Sequence, residues 1–161
     1  MEKLKKEIQI VVDAYKSGDL LKAETKCEKL IKKNPKVAFL YNLIGLILSA
    51  RNQTESAIKY YEKGLEIDPN FAMIYNNLGL LYFQKKSNEH IKKAEQFYIK
   101  AISINKNIPE PYTNLGSLYR SINKLSEAID SYKKALEINT KFLYAHHNLA
   151  NIYIALGKFG Q

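Results

Sequence analysis

Tyr41-Asn42-Leu43-Ile44-Gly45 returns as Tyr75-Asn76-Asn77-Leu78-Gly79 and again as Tyr112-Thr113-Asn114-Leu115-Gly116. His146-His147-Asn148-Leu149-Ala150 is a fourth, weaker copy. Successive copies start 34, 37 and 34 residues apart. A period of this length marks a chain built from repeated supersecondary units rather than from one irregular core. The sequence downstream of each copy recurs as well. Ala57-Ile58-Lys59-Tyr60-Tyr61-Glu62-Lys63-Gly64-Leu65 is echoed by residues 94–102 and by Ala128-Ile129-Asp130-Ser131-Tyr132-Lys133-Lys134-Ala135-Leu136. Asn34-Pro35 and Asp68-Pro69 close two of the units.

Numbered from the start of each unit, apolar residues of the first segment fall at offsets 4, 7, 8 and 11. At 100° per residue these share one arc of a helix, a face that needs covering. Gly45, Gly79 and Gly116 stand at offset 8 on that face, where a missing side chain admits a close partner. Ala23, Ala57, Ala94 and Ala128 at offset 20 are expected to supply the small surface they meet. Gly18, Asn52, Asn123 and Gly157 at offset 15 are residue types that tolerate positive φ, and they mark a break between two helices.

The aromatic, Leu-Gly, Tyr, Ala, aromatic, Ala and Pro columns resemble the tetratricopeptide repeat family over nearly the whole chain. The resemblance implies an all-α fold. It would be a right-handed superhelical solenoid of antiparallel helix pairs, one domain over residues 1–161. Its units would be 4–37, 38–71, 72–108 and 109–142, with a partial unit at 143–161. Each helix pair would bury its face only against its neighbours.

The departures carry their own expectations. The first unit has Glu7 for the aromatic and Val11 for the glycine, as suits an end. Three additional residues precede Ala94, which predicts one more turn on that unit's second helix with Ser87 or Asn88 as its cap. Lys106 and Thr140 replace the closing proline, so those two junctions are expected to be less fixed. A last helix near 142–156 repeats the apolar face with Leu149, Ala150, Ile152, Tyr153 and Leu156, and Gly157-Lys158-Phe159-Gly160-Gln161 ends where a second helix would begin. This predicts that downstream sequence or a second copy covers that face, giving self-association through the last helix.

Little in the sequence points to chemistry. Cys27 is the single cysteine, at a buried aromatic offset, and reads as a small core residue. His90, His146 and His147 lack the i, i+4 spacing of a zinc-binding pair, and His146 at the aromatic offset reads as packed core. The glycines are too far apart for a phosphate loop. No metal or cofactor is expected, nor enzyme activity. Nine of the twelve tyrosines fall on core offsets, which assigns them to packing rather than to base stacking. The net charge of +9 rests on Lys with only two Arg, mostly interleaved with Glu as on solvated helix faces. Nucleic acid is therefore disfavoured as a partner. No apolar stretch approaches a membrane span and the charged start has no secretory leader pattern, so a cytoplasmic location is expected.

The opposite face of each first helix, offsets 2, 5, 6, 9, 12 and 13, lines the concave groove in proteins of the family it resembles. Here it holds Asn42, Asn76, Thr113 and His147 at offset 5, and Asn77, Asn114 and Asn148 at offset 6. Ser117 and Asn151 follow at offset 9, Phe83 and Arg120 at offset 12. An asparagine amide offers donors and an acceptor to the N–H and C=O of an extended peptide. The resemblance thus implies a non-catalytic protein-interaction scaffold that takes an extended peptide or partner helix. It also suggests an alternative, the N-terminal module of a larger bacterial enzyme of glycosyltransferase or sulfotransferase type. Chaperone-binding members clamp a carboxylate tail with lysines at offsets 2 or 5; here offset 2 has only Lys5 and offset 5 has none, so no clamp can be assembled and an acidic C-terminal tail is not the expected ligand.

Overall fold

A computed structural model describes residues 2–157. Among these residues there are nine helices and no strand. They are α1 (Glu2–Lys16), α2 (Leu20–Lys33), α3 (Ala38–Ala50), α4 (Thr54–Ile67), α5 (Ala72–Gln84), α6 (Asn88–Ile104), α7 (Pro109–Ser121), α8 (Leu125–Ile138) and α9 (Leu143–Ala155). The connections alternate with a strict rhythm: residues 17–19, 51–53, 85–87 and 122–124 within pairs, residues 34–37, 68–71, 105–108 and 139–142 between them. Such short turns make sequence neighbours antiparallel neighbours in space. By contacts the chain forms two compact units, Met1–Ile74 and Tyr75–Gln161.

The offset-15 break is made as the sequence indicates. Gly18, Asn52, Asn123 and Gly157 have φ of 81°, 59°, 60° and 66°. Lys86, which fills the same place in the third pair, is forced to φ 59° although it is neither Gly nor Asn. The additional turn also forms: α6 has 17 residues against 14 in α2, α4 and α8. Ser87 caps it, its hydroxyl accepting the His90 N–H at 3.3 Å.

In the first unit Val11, Ala23, Cys27, Leu40, Ile44 and Tyr61 are almost fully buried. α3 packs against both α2 and α4 and is buried nearly all round. In the second unit one cluster joins Ala94, Tyr98, Leu115 and Leu118. Another joins Ala128, Tyr132, Ala135, Ala145 and Ile152, with Leu149 packed against it.

The glycines of offset 8 are close contacts, and the atoms nearest to them belong to tyrosine rings. A Cβ on Gly45 would lie 2.3 Å from the Tyr61 ring, on Gly79 2.6 Å from Tyr98, and on Gly116 2.8 Å from Tyr132. Each glycine is thus a slot for a buried tyrosine of its own pair. Ala23, Ala57, Ala94 and Ala128 are fully buried.

Three further expectations need correction. Ile152 is only 3% exposed, because α8 already covers it; the large apolar side chains that α9 shows to solvent are Leu143, Tyr144 and Ile154, with Leu156 exposed just after it. His146 is exposed, and its Nε2 meets the Thr140 carbonyl at 2.7 Å. Tyr41 makes the same contact six residues back, donating its hydroxyl to the Pro35 carbonyl at 3.0 Å, so His146 keeps the polar end of the aromatic column without its burial. The junctions that lack proline keep the same backbone as the others. Asp68, Asn105 and Asn139 end their helices at φ −134°, −142° and −138°. Each side-chain oxygen accepts the N–H two residues on, at 2.9–3.0 Å. This Asx turn, not proline, shapes the link. The expectation for residues 158–161 lies outside the described residues.

Candidate functional site

In the first unit, Asn42 on α3 is buried, at 6% exposure. Its helix is enclosed from two sides, and that takes the side chain away from solvent.

The remaining predicted residues sit in the second unit, on α5, α7 and α9. Asn76 and Asn77 are buried, at 4% and 7% exposure, which corrects the expectation of a solvent-facing pair. The Asn114 amide, on α7, donates to Asn76 Oδ1 at 2.9 Å. Asn76 in turn points its amide at Asn77 Oδ1, 3.5 Å away. Buried polar groups need such partners, because each one left unmade costs about 1–3 kcal/mol. The asparagine column therefore ties α7 to α5 inside the unit.

Thr113 is buried too, its hydroxyl donating to the Pro109 carbonyl one turn back at 3.2 Å. Ser117 is half-buried and donates to the Thr113 carbonyl at 3.0 Å, while also meeting the Tyr132 hydroxyl at 3.1 Å. Burial raises the Tyr132 pKa, and the Ser117 hydrogen bond and the Arg120 charge pull it back. Arg120, exposed on the next turn of α7, thus stands in reach of the Ser117–Tyr132 pair. On α9, His147 is exposed and its Nε2 lies 3.0 Å from the Asn151 amide. Asn148 and Asn151 are half-buried.

Phe83 packs partly against the Ala94–Tyr98–Leu115–Leu118 cluster. Its remaining surface lines a mainly apolar hollow with Gln84, Lys86, Ile91 and Ser121. Of these five, only Phe83 was singled out from the sequence. The available signal was the three-residue insertion, since Ile91 lies in the additional turn of α6. That turn is further braced by the His90 ring stacked on Tyr82 at 5.7 Å and by Lys93 over the same ring at 4.4 Å.

Cys27 is fully enclosed, and burial pushes its thiol up to about 12, which keeps it protonated and inert. Among the described residues no three His, Cys, Asp or Glu are grouped to hold a metal ion. No helix among them is long and apolar enough to cross a membrane. The surface offers amides, hydroxyls, a guanidinium and an apolar hollow.

Known proteins share this architecture. An uncharacterized protein, ycf37, of Pyropia yezoensis is 38% identical over 66 residues, 41% of this chain and 35% of its own length. The chain thus matches about a third of that relative. The structure of Pseudomonas aeruginosa pilF covers 98% of this chain and 70% of its own at TM-score 0.84 and 18% identity, a likeness of fold. The first TPR of Spaghetti (RPAP3), bound to the HSP90 peptide SRMEEVD, covers 75% of this chain and 94% of its own at TM-score 0.67 and 25% identity. A family profile described as TPR repeat matches residues 45–86 and 116–157, and one described as tetratricopeptide repeat matches residues 72–108. With more than half of its length matched, its glycine–tyrosine slots and its alternating three- and four-residue links, the chain belongs to the tetratricopeptide repeat family.

Proposed function

We propose that the chain is a non-catalytic interaction module whose second unit takes an extended peptide along the outer row of α7 and α9. Arg120, His147, Asn148 and Asn151 address the peptide's polar groups, with Asn114 and Ser117 at the row's inner edge. The observation that carries this reading is the apolar hollow of Phe83, Gln84, Lys86, Ile91 and Ser121, which suits one aliphatic or aromatic side chain of the ligand. The RPAP3 repeat domain in complex with an HSP90 peptide supports a peptide as the occupant. The missing lysine clamp separates this chain from ligands held by a C-terminal carboxylate.

Burial divides the asparagines into two classes. Asn42, Asn76 and Asn77 serve the interior, whereas Asn148 and Asn151 serve the ligand. Asn148→Ala and Arg120→Ala are expected to weaken a library-selected peptide several-fold with little change in melting temperature. Asn76→Ala is expected to lower stability by about 1–3 kcal/mol by removing the buried acceptor of the Asn114 amide. Peptide affinity unchanged by Phe83→Ala, Arg120→Ala and Asn148→Ala together would reject this surface as the binding site.

A further inference from the structure

Three hollows run end to end along α1 and α2. One is lined by Asp19, Leu21, Lys22, Thr25, Lys26 and Lys29. The next is lined by Glu7, Ile10, Lys26, Lys29, Leu30 and Lys33. The last has Lys3, Leu4, Glu7, Lys33 and Asn34. Successive hollows share walls, Lys26 and Lys29 in the first case and Glu7 and Lys33 in the second, so together they form one continuous groove.

Its chemistry is one-sided. Lys22, Lys26, Lys29 and Lys33 recur at i, i+4, i+7 and i+11 of α2, a single stripe about 16 Å long at 1.5 Å per residue. Lys3 extends it from α1. Two acids line the groove against five lysines: Glu7, and Asp19, which is engaged as the α2 cap, accepting the Lys22 N–H at 3.2 Å. Glu24, on the same helix, lines none of the hollows and is held in an ion pair with Arg51. Beside the lysines lie Ile10, 46% exposed, and Leu21, 66% exposed.

We propose that this groove docks an acidic amphipathic helix of a partner protein. A furrow between two antiparallel helices is the shape that receives a third. A docked helix has the same rise per residue as α2, so its Glu or Asp at three- and four-residue spacing fall opposite the lysine stripe while its apolar face covers Ile10 and Leu21. No aromatic ring and no Arg line the groove, which separates it from a surface built for single-stranded nucleic acid. The two exposed apolar side chains flank a recess rather than forming the continuous ridge that enters a lipid interface. The groove lies within residues 3–34 and shares no residue with the proposed peptide row, so each surface stands or falls alone.

The test uses the full chain and a fluorescent 18-residue helical peptide with leucines on one face and flanking glutamates, followed by anisotropy. Saturable binding is expected, weakening several-fold between 50 and 300 mM salt. Lys26→Glu/Lys29→Glu should weaken it ten-fold or more, and a peptide with lysines in place of the glutamates should bind that variant better than the wild type. Lys22→Glu/Lys33→Glu, at two exposed positions, repeats the test without touching half-buried Lys26, and circular dichroism verifies the fold of both. Asn148→Ala should bind the helical peptide as the wild type does. Equal affinity of wild type and both charge-reversed variants would overturn the proposal. So would an oligothymidine or a phosphatidylserine vesicle that binds the wild-type chain when the peptide does not.

Discussion

Gly79 has only a hydrogen where Tyr98 presses its ring, and the ring, fully buried, has nowhere to go. Alanine is a better helix former than glycine by about 1 kcal/mol. Even so, Gly79→Ala is expected to lower stability by roughly 1–3 kcal/mol, because its Cβ would sit 2.6 Å from that ring. Denaturant melts of Gly79→Ala, Tyr98→Leu and the double variant check it: the two losses should not add. A stabilised Gly79→Ala would place the contact elsewhere. Tyr98 also buries a hydroxyl that has no hydrogen-bond partner among the described residues, whereas the equivalent hydroxyl of Tyr132 meets Ser117. The difference lies at offset 9, where the third pair has Leu80 instead of Ser. Tyr98→Phe is therefore expected to be neutral or stabilising by about 1 kcal/mol, while Tyr132→Phe, which strands Ser117, is not.

At the scale of elements, the α5–α6 turn passes through Lys86 at φ 59°. Left-handed backbone costs an ordinary L-residue about 1–2 kcal/mol, part of which glycine's greater freedom in the unfolded chain returns. Lys86→Gly is expected to raise the melting temperature by about 2 °C, and Lys86→Val to lower it. The break itself was legible, since three sister positions hold Gly or Asn and the period carries them onto residue 86. The helix pairs, the close-contact glycines and the α6 insertion were legible for the same reason: they depend on contacts within one pair, although the tyrosine that each glycine receives was not, since the alanine column offered a second candidate in the same pair. The burial of Asn42, Asn76 and Asn77 was not. A helical wheel gives direction but not what stands in that direction, and these amides are covered by neighbouring helices. His146 failed in reverse, because its offset promised cover that this part of the chain does not supply. The Asn105 and Asn139 turns were not legible from the proline column, because the side chain one residue earlier does the shaping.

Across the whole molecule, ionisation is locked out of the interior. Tyr61, Tyr98 and Tyr132 have pKa values raised mainly by burial, and Cys27 is pushed up from 9.0 to about 12 for the same reason. The unfolded chain releases these protons near 9 and 10, the folded chain only at higher pH. Their contribution is therefore fully present below pH 9 and is lost as pH rises through the folded values. Melting temperature should be flat from pH 7 to 9 and decline above it, and Cys27→Ala should flatten the onset between 9 and 10. Iodoacetamide at pH 8 should leave Cys27 unmodified until denaturant is added.

The slot between glycine and tyrosine has a consequence for descent. Both halves of the fit lie in one helix pair, so a crossover at the four-residue links hands on a working lock, and one within a pair can separate key from keyway. Copying and reshuffling such a gene should conserve the pair as its smallest inheritable part. A natural variant that loses the glycine should carry a smaller residue in place of the tyrosine in the same copy, whatever the neighbouring copies contain.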